Sequence, residues 1–493
     1  MIEQSIIYSI FNNAEMYPQK IALISGFEPY SNSLSYAGLV DKITNYAEYL
    51  STKANYKHEA IVISACQSIE FICSYFAIHL VGAIAVPINP QLPADKLQLI
   101  IDQCSAKLVI LNRATKLNNN AEIINLESLS NYEGSGKFDL FKFPMQKDFA
   151  DILFTTGTTG LPKGVMLTHQ NIFSSASNIN NFICNTAQDI ELSPMPLSHS
   201  FALARLRCNL MMGSTIVIAN GLLLPGKIYK QLEETKATGF SSVPAGIAIL
   251  FKFGEEKLEK FKNQLNYLEI GSSPMPLIHK KKLMALLPNT RICMHYGLTE
   301  ASRSSFIEFH SDKDFLDSIG KPTPGVKLEI RNNKKNKCSI GENGEITLQG
   351  NSIAKKYVSL GNIQNQDGWF YTGDLGSINS KGYIFLSGRK SDIINIGGQK
   401  VAPLEIESLI NLLPSIEESA CIGFSDPNGL TGESIKLFLV QTKHDSSVDK
   451  ISDQDVILYL RNKLESFKIP SLIVWTDNIP KSQSGKIIRH KLI

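Results

Sequence analysis

Twelve residues, Phe154 to Val165, read F-T-T-G-T-T-G-L-P-K-G-V and form the densest cluster of ligand-binding chemistry in the chain. Gly157, Gly160 and Gly164 let the backbone bend and bring bare N–H groups close to a ligand. Thr155, Thr156, Thr158 and Thr159 add hydroxyl donors, and Lys163 adds a positive charge. Such a stretch suits a polyphosphate. It is not a Walker-type P-loop, which needs G-x-x-x-x-G-K-[ST]. Counted from Gly157, the second glycine position holds Pro162, and Gly164 stands where Ser or Thr would reach magnesium. On composition alone the other reading is a solvated, turn-rich surface loop.

Three later peptides leave short β-type runs: Pro244-Ala245-Gly246, Gly271-Ser272-Ser273-Pro274 and Tyr296-Gly297-Leu298-Thr299-Glu300. In open α/β sheets ligands gather at the carboxyl ends of strands, so chemistry is expected there. Trp369-Phe370-Tyr371-Thr372-Gly373-Asp374-Leu375 follows, with Arg389 fifteen residues after Asp374. Near the last residue comes Pro480-Lys-Ser-Gln-Ser-Gly485-Lys486-Ile487-Ile-Arg489. By position alone, a lysine in such a tail is a solvated charge.

In this order, and together with the glycine–threonine stretch, these motifs resemble those of the adenylate-forming superfamily: acyl- and aryl-CoA synthetases, peptide-synthetase adenylation domains and firefly-type luciferases. The resemblance covers most of the chain. It implies ATP-dependent activation of a carboxylic acid to acyl-AMP with release of pyrophosphate, then transfer to a pantetheine thiol. That thiol is expected to belong to CoA, the acid being of fatty or aryl type; the alternative is the phosphopantetheine of a holo acyl carrier protein. A silent nucleotide-binding scaffold is the remaining reading.

The resemblance also implies roles residue by residue. Thr155, Thr156, Gly157, Thr158, Thr159, Gly160 and Lys163 would cradle the phosphates. Gly271, Ser272 and Ser273 would lie beneath the adenine, where small residues leave room for a flat ring. Tyr296 and Gly297 open the Y-G-x-T-E motif, whose Thr299 would touch the α-phosphate and whose Glu300 would hold Mg2+, a cation that prefers hard oxygens. Asp374 and Arg389 would meet the ribose. Lys486 would bridge the incoming carboxylate and the α-phosphate, where anion meets anion and charge builds in the transition state. His199, in Pro196-Leu197-Ser198-His199-Ser200-Phe201, would gate the acyl tunnel. Amino-acid-activating members usually carry Phe-Asp where this chain has Ser198-His199, so the acid is expected not to be an α-amino acid. Ser391 replaces the usual hinge Asp or Lys, and Asn395 occupies a place where some members carry a second lysine for the thioester step. Gly397-Gly398-Gln399-Lys400-Val401 matches the segment lining the thiol's approach.

The elements that must position these residues read as α/β. From Ile61 to Leu111, strand-like runs (Ile61–Ser64, Ala85–Ile88, Leu108–Leu111) alternate with helical ones, the first capped by Ser68 and running to Leu80, the second Ala94 to Cys104. A second round holds Thr215–Ala219, Phe240–Val243, Tyr267–Ile270 and Arg291–Met294. Such alternation predicts covered parallel sheets, hence two Rossmann-like subdomains. Between Gly320 and Gly388, glycine-punctuated β segments predict a small β-barrel-like subdomain. Beyond Arg389–Asp392 a compact, mobile α+β unit is expected. Pro403 opens one of its helices, with apolar Ile406, Leu409, Ile410 and Leu413 on one face, and Ser452 with Asp455 forms a capping box before another. The domains are accordingly 1–388 and 389–493.

Hydrophobic residues make up 43% of the 493 and charged ones 19%, with a net charge of +3, so nucleic acid is not expected as a partner. The clusters Lys280–Lys282 and Lys334, Lys335, Lys337 are expected to be solvated. Eight scattered cysteines without a C-x-x-C pair favour a reducing compartment and argue against structural zinc. Residues 1–15 lack a secretory pattern and no run of about 18 apolar residues appears, so a cytoplasmic protein without a membrane span is expected, with oligomers possible. Among 40 Lys there are only 9 Arg. Arg205, Arg207 and Arg303 fall beside the gate helix or after the Y-G-L-T-E motif; they either form surface ion pairs, or Arg303 or Arg205 meets a polar or anionic group distal to the activated carboxylate. Ser242, Ile270, Gly297 and Ser302 are expected to line a pocket of small or apolar surface.

Overall fold

The structure is a computed structural model that describes residues 5–26, 32–115, 117, 121–134, 144–156, 162–219, 221–222, 224–425, 432–442, 451–482 and 485–492. Within the described residues the strands form sheets of nine, eight, four, three and two strands.

The nine-stranded sheet orders as Lys321–Pro322, Ser305–Glu308, Arg291–Tyr296, Tyr267–Ile270, Gly239–Ser242, Ile190–Ser193, Thr215–Ile218, Ile21–Ser25 and Asn32–Ser35. Its interior is parallel and its outer pairings antiparallel. In the eight-stranded sheet, Ala60–Ser64, Ile84–Ile88 and Leu108–Leu111 pair in parallel and are buried along their whole length. Continuous β-branched runs of this kind are what a sheet covered on both faces requires. The expected helices are present at Ile69–Leu80, where Ser68 accepts from the Phe71 N–H, and at Ala94–Cys104. The N-terminal helices Ile6–Met16 and Tyr36–Lys53, capped by Ser5 and Ser35, also join the main core; the alternation of the later chain gave no sign of them.

The stretch between Gly320 and Gly388 supplies a four-stranded antiparallel sheet, ordered Val326–Arg331, Gly344–Gly350, Phe370–Ile378, Ile384–Arg389. From Ile394 onward the residues pack into apolar clusters of their own, one built on Ile394, Val401, Ile406, Ile410, Leu437 and Leu460. The chain is thus a large N-terminal α/β domain followed by a small C-terminal α+β one. In the small domain the Ser452–Asp455 capping box forms. The helix opened by Pro403 ends at Ile410, so Leu413 packs from the turn beyond it rather than from the helix face. Among the described residues no helix is long and apolar enough to cross a membrane.

Lys280 departs from the solvated face expected of it. It is buried, donates to the Leu316 carbonyl at 2.5 Å and lies over the Phe309 ring. Burial pushes its pKa down to about 8, against a weaker opposing pull from Asp317.

Candidate active site

The carboxyl ends of Tyr267–Ile270 and Arg291–Tyr296 and the start of the helix Ser200–Met212 enclose a cavity of about 110 Å³. It gathers His199, Ser272, Gly297, Thr299 and Lys486, which come from four separate stretches of the chain. Of the positions expected to line a pocket, Gly297 and Ser302 do so, whereas Ser242 and Ile270 are sealed in the core.

Lys486 arrives on a short hairpin. Ser482 N–H donates to the Lys486 carbonyl at 2.8 Å, Lys486 N–H donates to Ser482 Oγ at 3.1 Å, and Lys481 bridges Ile487. Gly485, at φ +81°, makes the turn, and a Cβ there would sit 3.5 Å from Ser273 Oγ and 3.8 Å from Ala245 Cβ. The tail therefore rests on two of the peptides that leave the large sheet. Arg489 holds the hairpin to the small domain with a two-pronged bond to Glu407 (2.6 and 3.0 Å) and a 3.1 Å bond to Asp392. Lys486 is exposed and lines the cavity. Crowding by protein desolvates the ammonium and lowers its pKa, and Arg389 adds repulsion; Asp374 and Glu300 pull the other way.

Asp374 and Arg389 stand opposite each other on neighbouring antiparallel strands. Arg389 Nε donates to Asp374 Oδ1 at 2.7 Å and Tyr296 Oη donates to Oδ2 at 2.6 Å. Each carboxylate oxygen keeps a further lone pair, so the acid can still accept from two vicinal hydroxyls. Burial, then the Asp374 charge, drives the Tyr296 phenol far above its ordinary pKa and keeps it a donor.

Glu300 accepts from Tyr357 Oη at 2.8 Å through Oε1; among the described residues nothing donates to Oε2. No cluster of three or more His, Cys, Asp and Glu is placed among them to hold a metal alone. One free carboxylate oxygen fits Mg2+, which takes one or two protein carboxylates and fills its shell from substrate phosphate and water. Tyr357 escaped the sequence reading, since nothing in Lys356-Tyr357-Val358 signals a ligand. It lies on a short strand that pairs with Val165 of Pro162–Thr168, and so ties the threonine-rich hairpin to Glu300.

Within that hairpin, Thr155 faces Lys163 across paired strands, with Thr155 Oγ1 3.5 Å from the Lys163 carbonyl. The stretch expected as a loop is thus strand at both ends. Gly157, Thr158, Thr159 and Gly160 lie outside the described residues, as does the Thr156 side chain.

Gly271 has a reason of its own within the fold to lack a side chain. A Cβ at Gly271 would lie 2.0 Å from the His295 imidazole, so the missing side chain makes room for a neighbouring strand's histidine. His295 Nδ1 stands 2.7 Å from Glu269 Oε1, and Arg303 Nε donates to the same oxygen at 3.0 Å. Glu269 also faces Arg205, which pairs with Glu191. Burial opposes ionisation of Glu269, but Arg303, Arg205 and His295 outweigh it and hold the carboxyl well below its usual range. His295 is itself pushed down by burial and by Arg303.

Both readings of Arg205 are corrected by this network. It is fully buried and paired with Glu191 and Glu269, neither a surface pair nor a pocket group. Arg303 does line the cavity, but its guanidinium is spent on Glu269, Ser302 Oγ and the Phe201 carbonyl. Arg207 is buried against Asp151 and Tyr75.

Compared with known proteins, residues 10–358 match the family model described as AMP-binding enzyme, and residues 405–486 match the AMP-binding enzyme C-terminal domain. The chain belongs to the AMP-binding enzyme family, within the adenylate-forming superfamily. Among curated relatives, it is 27% identical to a 2-succinylbenzoate–CoA ligase of Bacillus velezensis, covering 98% of this chain and 96% of the relative. It is likewise 27% identical to a long-chain-fatty-acid–CoA ligase of Mycobacterium tuberculosis, over 92% of each. Its fold is shared with the o-succinylbenzoate CoA synthetase of Bacillus subtilis solved with an acyl-adenylate intermediate, at TM-score 0.86 and 24% identity, covering 98% and 97% of the two chains.

Proposed function

We propose that this chain is an AMP-forming acid–thiol ligase that activates a carboxylic acid with ATP and passes the acyl group to CoA. The observation that carries the reading is Lys486, brought from the far end of the chain onto a cavity it shares with Thr299 and His199. The reactions named for the curated relatives support the same class.

In the first step a carboxylate oxygen attacks the α-phosphorus of ATP, a new O–P bond forms, and the bond to pyrophosphate breaks. Lys486 places its positive charge between the two anions, and Thr299 donates to the α-phosphate. Asp374, fixed by Arg389 and Tyr296, accepts from the ribose hydroxyls, and Thr155 and Lys163 lie on the phosphate side. Mg2+, when bound through Glu300, supplies charge neutralisation on the phosphate oxygens. His199 stands at the passage to the acid. In the second step a thiolate attacks the acyl carbon, a C–S bond forms and AMP leaves. We place the division between the two domains at Arg389, so that 1–388 bind nucleotide and acid while 389–493 deliver Lys486.

Pyrophosphate exchange into ATP, screened over a panel of carboxylic acids, tests the first step; thioester formation with free CoA or with holo carrier protein tests the second. Failure of every acid to support exchange overturns the reading, and transfer only to carrier protein replaces CoA as the acceptor.

A further inference from the structure

Beside the main cavity lies a second, of about 20 Å³, which shares Ser200, Thr299 and Ser302 with it. Its far wall carries Arg207, Ser175 and Ser352. All three residues are more than nine-tenths buried. Arg207 Nε donates to Tyr75 Oη at 3.1 Å and Nη2 bonds both Tyr75 and Asp151; among the described residues nothing accepts from Nη1. Among the described residues the hydroxyls of Ser175 and Ser352 have no partner either. The remaining wall is Leu153, Leu167, Ile172 and Ala204, with Asn171, whose amide is spent on the Asn351 and Ile353 carbonyls and the Thr168 N–H.

Three unspent donors around one small space form an unusual arrangement, because a buried polar group without a partner carries a desolvation cost. A space of that size holds one oxygen-sized group. Asp151 already balances the Arg207 charge, so what the wall lacks is an acceptor. We infer that this is where the acid's far end is read: the substrate carries an acceptor oxygen, carbonyl or carboxylate, distal to the carboxylate that is activated, and Arg207, Ser175 and Ser352 select it over an unfunctionalised hydrocarbon chain. The inference rests on the acid-activating function proposed above, and it moves the selecting arginine from Arg303 or Arg205 to Arg207.

The test is kcat/KM in acid-dependent pyrophosphate exchange with the full chain. Three acids of matched length are compared, bearing a distal carbonyl, a distal carboxylate, or no distal oxygen. The expected result is preference for an oxygenated acid by at least about 100-fold, since sites built to hydrogen-bond reject analogues that cannot; which oxygenated acid ranks first identifies the group. Ser175→Val and Ser352→Ala, with melting temperatures checked, should each shrink that ratio at least about tenfold. Arg207→Lys keeps the charge beside Asp151 but loses the fork, and should shrink it further; if it fails to fold, the serine variants decide. Equal use of the hydrocarbon acid, as expected if the space merely holds structural water, overturns the inference while leaving acid activation intact. So do serine variants that keep the wild-type ratio. Absence of exchange with every acid overturns the underlying function instead.

Discussion

Tyr357 Oη donates a 2.8 Å hydrogen bond to Glu300 Oε1, so the strand edging the threonine-rich hairpin fixes the carboxylate proposed to hold magnesium. Partners that orient a metal ligand typically matter by 10- to 100-fold in metal affinity. Tyr357→Phe is therefore expected to raise the Mg2+ concentration giving half-maximal exchange by about tenfold. An unchanged Mg2+ dependence at reduced rate would reassign Tyr357 to packing.

Lys486 is expected to act in one half-reaction only. Lys486→Ala should slow acyl-AMP formation by about 100- to 1000-fold, the loss seen when one transition-state charge stabiliser is removed. Transfer from supplied acyl-AMP to CoA should change little. Because burial and Arg389 lower its pKa, the charged form is lost on raising pH below the ordinary lysine range. Wild-type adenylation should thus fall on an alkaline limb that Lys486→Arg abolishes. A limb shared by both enzymes would point to another group.

Glu269 joins His295, Arg303 and Arg205 inside the core. Breaking a buried ion cluster on one side leaves charge uncompensated and costs about 3–5 kcal/mol, so Glu269→Gln should lower the melting temperature markedly at neutral pH. The depressed carboxyl adds stability above the usual glutamate pKa, and that contribution fades as pH falls toward its folded-state value. The gap between wild type and variant should accordingly narrow in acid.

Lys280 predicts a slope of the same sign in a different window, on the alkaline side. Its folded-state pKa is about 8, while an unfolded lysine holds its proton to about 10.4. Between these values the unfolded chain binds more protons, so stability from this group rises with pH. Chemical denaturation of Lys280→Met, compared with wild type from pH 8 to 10.5, should show that rise removed. Parallel curves would mean the ammonium is solvated after all.

Local pattern made much of the scaffold legible. The strands from Ala60 to Leu111, the Ser68 cap and the Ser452–Asp455 box depend on neighbours in sequence. Motif resemblance led to Lys486, Thr299 and His199, which the fold brings to one cavity. What escaped was decided by distant partners. Tyr357 meets Glu300 across 57 residues, and Arg207 meets Asp151 across 56. Arg205 and Lys280 look solvated in sequence because both carry charge, yet Glu191 and the Leu316 carbonyl take them inside. No periodicity records such long-range compensation.

Gly271 has room for hydrogen alone, since any carbon there would strike the His295 ring. His295 touches Glu269, and Glu269 grips two arginines. The floor of the reaction chamber and a buried knot of charge are consequently one mechanical part. Mutational drift at this single position registers first as a loss of folded enzyme, whatever its influence on nucleotide affinity.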